Sequence, residues 1–304
     1  MELKPDFAFR PLPAIQRPLV FQLSPTGNPL GPLSELEGKW SGRGFNTIWR
    51  PNHTPGQDRF LELNLTEDDI EFTEIKGPIP NRGLLQGDIQ MFGFTYLQQI
   101  KDFNNKAGLH IEPGIWASVP KTENPAEPPT VVRMASIPHG TTVVAEGRSL
   151  DVNGPPIINP NNITPFKIGN PAATHNFPES TLAIPTAFRS PPADIEGITQ
   201  PMVDNPNSVL KAAIAGQTIE KTVVLAVSST PVTPVVGGGT ANTAFLQGTA
   251  AGPNAQAALV SAIFWLETLK GHKEARQLQY TQTVLLNFNG LSWPHVTVAT
   301  LHRI

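Results

Sequence analysis

The chain of 304 residues carries a formal net charge of -3, only 15% charged residues, and an excess of Pro (32) and Gly (25). That balance, with no Lys/Arg-rich run, gives no electrostatic reason to expect a nucleic acid or an anionic membrane as partner. Cysteine is absent, which excludes disulfides, zinc–thiolate sites, iron–sulfur clusters and thiol nucleophiles.

The length suits one large β domain or two average ones, and high Pro and Gly favour short strands and ordered loops over helical packing. No apolar run approaches the ~18 residues of a membrane span. Met1 to Arg10 holds Lys4, Asp6 and Arg10 without an apolar core, so no signal peptide is expected. The glycosylation patterns at Asn52, Asn64 and Asn162 are then chance matches, and a soluble, cytoplasmic protein is expected.

Residues 1–33 hold prolines at 5, 11, 13, 18, 25, 29 and 32 and read as an extended arm or a disordered leader. The stretch Leu36-Glu37-Gly38-Lys39-Trp40-Ser41-Gly42-Arg43-Gly44-Phe45 follows. Trp between glycines suits a strand that seals the closed end of a barrel, since Gly accepts the close approach of another backbone while Trp fills the space beneath. Arg59 to Leu65 and Ile70 to Ile75 read as a hairpin turning at Asp68-Asp69.

Gln90 to Phe103 is an aromatic-rich strand with Phe92, Phe94 and Tyr96. Gly108 to Val119 runs back from Asn104-Asn105 and sets His110, Glu112, Gly114 and Trp116 on one face by the period of two. Thr130 to Ile137 and Thr141 to Gly147 form a hairpin about Pro138-His139-Gly140. Residues 151–206 hold eleven prolines and no sustained periodicity. They read as a long insertion packed on a single domain of residues 34–304, with a lid as one role.

A short helix is expected over Ser208 to Ala215, capped by Asn207 or Ser208 and ended by Gly216. Strand character resumes at Thr218 to Ser228, with a loop at Gly237-Gly238-Gly239 and further strand at Thr243 to Gly248. Ala258 to Leu269 is ambiguous by periodicity and is assigned to strand. In Gln277 to Asn289 the residues Tyr280, Gln282, Val284, Leu286 and Phe288 share a face. Asn289-Gly290 then turns the chain into a last strand, Leu291 to Ile304. The fold class expected is all-β: an antiparallel up-and-down barrel of about ten strands.

No Gly-x-Ser-x-Gly elbow, phosphate loop or His-Glu-x-x-His is present. Of the seven histidines, His53, His175 and His272 fall in loops. His139 sits at a hairpin tip, where it is a solvated turn residue or a ligand contact at a barrel mouth. His110 has Glu112 on its face and reads first as a hydrogen-bonded strand residue. His295 opens the terminal strand after Trp293-Pro294, with Thr297, Ala299 and Leu301 on its face. It is either a buried His bonded to a neighbouring strand or, at a barrel mouth, a ligand to iron.

Leu36-x-Gly38-x-Trp40-x-Gly42-x-Gly44 resembles the first strand of the nitrobindin-like haem-binding β-barrels, relatives of the calycin-type lipocalin and fatty-acid-binding barrels. His295-Val296-Thr297-Val298-Ala299-Thr300-Leu301-His302-Arg303 resembles their closing strand. The resemblance implies haem b with His295 as its metal ligand, and chemistry with nitric oxide, peroxynitrite or peroxide. Phe92, Phe94, Trp116 and Phe264 are then the expected pocket walls. The alternative is a metal-free carrier of a fatty acid or terpenoid. A third reading, an enzyme using Glu112, Tyr96 or Tyr280 as acid or base, has no dyad spacing behind it. A homo-oligomer is compatible with all three.

Overall fold

The computed structural model describes residues 27–54, 56–138, 140–230, 237–243 and 254–304, with Lys4, Phe7, Leu246, Gly248 and Thr249 besides. Ten strands form the barrel: β1 (Gly38–Thr54), β2 (Gln57–Glu74), β3 (Ile89–Asp102), β4 (Gly108–Val119), β5 (Thr130–Ile137), β6 (Thr141–Asn153), β7 (Ile219–Ser228), β8 (Gln256–Leu269), β9 (Gln277–Phe288) and β10 (Leu291–Arg303). Each pairs antiparallel with its neighbours in sequence, and β10 pairs with β1 from Trp40↔Arg303 to Thr47↔Val296, closing the sheet. The up-and-down barrel expected from the strand pattern is therefore observed. Short strands lie outside the ring: Ile79–Asn81 on β3, Gly239–Asn242 on β6, and Phe166–Lys167 with Asn170–Thr174 on β10.

The opening Gly-x-Gly explains the closure. A Cβ on Gly42 would sit 2.1 Å from the Thr300 carbonyl oxygen, and one on Gly44 2.1 Å from that of Val298. Only glycine lets β1 lie this close to β10. Beside them the Trp40 indole is buried, donates Nε1–H to the Leu36 carbonyl at 2.8 Å, and packs with Leu30, Leu33 and Leu36 to form the floor. Leu30 and Leu33 belong to the stretch expected as an arm. The part of that stretch up to residue 26 lies outside the described residues, apart from Lys4 and Phe7.

Two apolar clusters flank the barrel wall. The inner one joins the floor to Phe72, Phe94, Trp116, Phe264, Leu278 and Leu301. The outer one joins Phe45, Trp49, Leu61, Leu63, Val296 and Val298 to Ile158, Ile163, Val203 and Leu210 from residues 154–218. That connection between β6 and β7 covers the outside of the barrel, so β1, β2 and β10 are buried on both faces.

Several local expectations are corrected. Asp68-Asp69 is no turn: β2 runs unbroken through it and Asp68 faces the interior. Leu61 and Leu63 point outward beneath the insertion while Asn64, Thr66 and Asp68 point in. On β9 the shared face splits, with Tyr280 in the inner cluster and Phe288 in the outer one, stacked on Trp293 at 4.6 Å. The strand expected after Gly239 is instead Gly239–Asn242, and residues 244, 245 and 247 lie outside the described positions. The helix spans Asn207–Ala213 without a side-chain cap, and a second, Gln200–Asp204, precedes it. Among the described residues no helix is long and apolar enough to cross a membrane.

Candidate functional site

The middle of the barrel is polar. On β4 the inward residues are His110, Glu112, Gly114 and Trp116. Gly114 leaves room for the Tyr96 ring from β3, since a Cβ there would meet Tyr96 Cε1 at 2.5 Å. The Tyr96 hydroxyl donates to Glu112 and accepts from Arg133 Nε at 2.9 Å. Arg133, inward on β5 between Val131 and Ala135, also grips the Glu112 carboxylate through Nε and Nη2. Its Nη1 donates to Gln282 Oε1 on β9 at 2.6 Å. His110 Nε2 lies 3.1 Å from the other Glu112 oxygen. Arg133 and Glu112 are 1% and 0% exposed, and His110, at 13%, links the network to solvent.

A second carboxyl lies nearby. Asp68 accepts from the Tyr280 hydroxyl at 2.5 Å and from Gln98 Nε2 at 3.0 Å. Burial pushes Asp68 up to about 7 against the pull of these donors. Burial would raise Glu112 too, but the Arg133 guanidinium outweighs it and holds that carboxyl down at about 2. The barrel interior thus keeps a fixed carboxylate near a carboxyl that changes protonation near neutrality, a separation that at other sites divides base from acid.

At the end opposite the floor, His295 faces inward beside Val284, its partner on β9. Its Nε2 lies 3.1 Å from Asn46 Oδ1 on β1, which also accepts from Thr297 Oγ1 at 2.9 Å. An amide oxygen only accepts, so this assignment puts a proton on Nε2 of His295. Next to Asn46, across the β1–β2 pairing, stand Asn64 and Thr66. Asn64 Oδ1 and Thr66 Oγ1 are buried without a hydrogen-bond partner.

The sequence-selected residues fall into two groups. Phe94, Trp116 and Phe264 meet in the inner cluster with Phe92 packed against it, and Trp116 meets Phe264 edge-on at 5.2 Å. They lie on the floor side and in the middle, whereas His295 stands at the mouth outside that cluster. His53, His175 and His272 are exposed, and His139 lies outside the described residues. Asp68, Gln98, Arg133 and Asn46 were missed. The signal for Arg133 was a lone charge among the apolar residues of Thr130–Ile137; Asp68 was hidden by the turn assignment.

An inward imidazole, oriented through one nitrogen by a neighbouring side chain, is the kind of ligand that a b-type haem takes, and His295 would be the residue to hold one. No cluster of three or more His, Asp or Glu able to hold a bare metal ion occurs among the described residues.

Strand number, pairing and closure define a closed ten-stranded antiparallel up-and-down β-barrel. No family model and no curated protein matches the sequence. Among solved structures, the chain is similar to the crystal structure of Rv2717c from M. tuberculosis, with a TM-score of 0.44 and 15% identity over 93% of this chain and 99% of that one. The barrel assignment rests on the strand pairing itself.

Proposed function

We propose that this protein binds a small molecule in the mouth of its barrel and that the ligand is haem b, held through His295. The observation that carries the reading is the inward His295 tied to Asn46, next to the unpartnered Asn64 Oδ1 and Thr66 Oγ1. Asn46 fixes the ring. Bound haem would supply an iron centre for reaction with nitric oxide, peroxynitrite or peroxide. The aromatic residues Phe94, Trp116 and Phe264 support the mouth from below.

Hemin titration tests this directly. A Soret band that saturates with protein concentration, and weakens at least about tenfold in affinity in His295→Ala, is expected from loss of the axial ligand. A flat titration at micromolar protein overturns the haem assignment.

A second reading, a metal-free carrier of a fatty acid or terpenoid, is favoured by Val260 and Val284 on the inner face at the same end. Mass spectrometry of molecules extracted from the purified protein separates the two. An apolar lipid without haem supports the carrier, and haem alone rules against it.

A further inference from the structure

Glu267 shares the outer face of β8 with Trp265 of the outer cluster, yet it is 0% exposed. The helix Asn207–Ala213 and the turn to Gln217 lie across this part of the wall. Under them stand three fully buried polar side chains, Glu267, Gln277 and Gln279. Gln277 Nε2 uses both of its hydrogens, one on Glu267 Oε2 and one on Gln217 Oε1 at 3.1 Å. Gln279 Nε2 donates to the Leu210 carbonyl at 3.0 Å and to Thr300 Oγ1 at 2.7 Å. Glu267 Oε1 and Gln279 Oε1 are left buried without a partner.

This interface holds the covering segment lightly. The helix has 7 residues, too few to be stable by themselves. It has no side-chain cap and buries only Asn207 and Leu210. The ends of the segment are pinned. Asn205 Oδ1 accepts from the Asn161 N–H at 3.0 Å, and the Thr218 carbonyl accepts from the Lys270 N–H at 2.9 Å. Lifting the residues between these pins would let water reach all three polar side chains and fill both orphaned acceptors, so local opening is cheap here.

No cation offsets the buried carboxyl. The titratable residues on the elements around it are Lys211 on the helix, Glu220 on β7, His302 on β10, and Lys270 and Arg276 in the β8–β9 turn. Gln277 is the one group that favours the charged form of Glu267, and burial pushes the carboxyl up to about 7 from 4.5. We propose that residues 207–217 are a proton-operated latch on the outer wall of the barrel. Protonated Glu267 lets the helix lie shut; loss of the proton lifts it, hydrates the carboxylate and detaches Leu210 from the outer cluster. Because the folded state holds this proton more tightly than the open one, closure is complete at acid pH and weakens as pH rises through 7.

Trypsin reads the latch at Lys211, the one Lys or Arg in residues 200–217, which is exposed on a helix that must open before it is cut. Cleavage of the full chain at this site is followed by fragment mass and divided by that of a free peptide of residues 205–217, which removes the protease's own pH dependence. A carboxyl at about 7 when covered and 4.5 when open predicts a rise of about tenfold from about pH 6 to about pH 8. Glu267→Gln keeps an acceptor for Gln277 without a charge and should hold the acid rate at both pH values. Leu210→Ala removes the helix's buried apolar contact and should speed the cut several-fold at the lower pH. The proposal is overturned if the parent shows no rise, if Leu210→Ala leaves the acid rate unchanged, or if the rise survives in Glu267→Gln. Asp68 is intact in that variant, so a surviving rise would belong to the whole fold and not to the latch.

Discussion

Glu112 and Arg133 meet inside the barrel with neither side chain reaching solvent, Arg133 giving two donors to the same carboxylate oxygen. Desolvating both charges is expensive, and an apolar pair of similar volume would often be no less stable. The pair therefore organises the interior more than it strengthens it: Arg133 ties β5 to Tyr96 on β3 and to Gln282 on β9. Arg133→Met leaves a buried carboxyl unpaired and is expected to cost about 3–5 kcal/mol in urea denaturation. Adding Glu112→Leu should recover most of that loss. A double variant no better than the single one would show that the network stabilises the fold outright.

Asp68 gives the fold an unusual pH dependence. Its folded pKa, raised by burial to about 7 from an ordinary 3.8, means that the native state holds this proton more tightly than the unfolded chain. Its contribution to stability is complete below pH 4 and is lost as pH rises towards 7, by on the order of 2–4 kcal/mol. Glu267, buried and raised to about 7 from 4.5, acts in the same direction. Asp68→Asn should flatten the profile between pH 4 and 7 and raise the melting temperature at pH 8 relative to the parent. An unchanged slope would assign the profile to other groups.

Glu112 has the opposite sign. Held at about 2 against an ordinary 4.5, it stabilises the fold above pH 4.5, and that contribution disappears as pH falls towards 2. In an Asp68→Asn background the acid limb of the denaturation curve isolates Glu112. Glu112→Gln should remove this limb, at the cost of lower stability at pH 7.

The barrel was legible because its signals are local. Alternation on β4, the Pro138–Gly140 turn and the glycines of β1 each report on their own backbone, and sequential hairpins need no long-range information to be ordered. The site was less legible, because its residues break the rule by which strands are recognised. On β2 the apolar Leu61 and Leu63 point outward, since residues 154–218 cover them, while the polar Asn64, Thr66 and Asp68 point inward. A face assignment made from polarity alone inverts at that point. Asn46 gave no sign of its role, because its partners His295 and Thr297 lie about 250 residues away.

Gly44 tests the seam between first and last strands. Its missing Cβ would lie 2.1 Å from the Val298 carbonyl oxygen and 2.8 Å from Thr66 Oγ1. A backbone atom in a closed ladder cannot step aside as a flexible side chain can. Gly44→Ala is therefore expected to cost about 2–3 kcal/mol or more by forcing β1 away from β10, read as a drop in the denaturation midpoint. Gly87, whose Cβ would meet nothing within 4 Å, is the control: Gly87→Ala should stay within about 0.5 kcal/mol of the parent. Equal effects at both positions would remove the steric account of the Gly-x-Gly motif.

Asn46 positions His295, and its role can be separated from simple packing. Its Oδ1 accepts from both His295 and Thr297, so Asn46→Leu deprives the imidazole of its orienting partner while keeping a side chain of similar size. If His295 holds haem, loss of this outer contact should weaken hemin binding by about tenfold. Asn46→Asp places a carboxylate against the same ring nitrogen, makes the imidazole a stronger donor to iron, and should move the reduction potential to more negative values. A packing role alone would lower stability in both variants and leave the potential where it was. The potential of the Asp variant therefore distinguishes a residue that tunes the ligand from one that fills the wall.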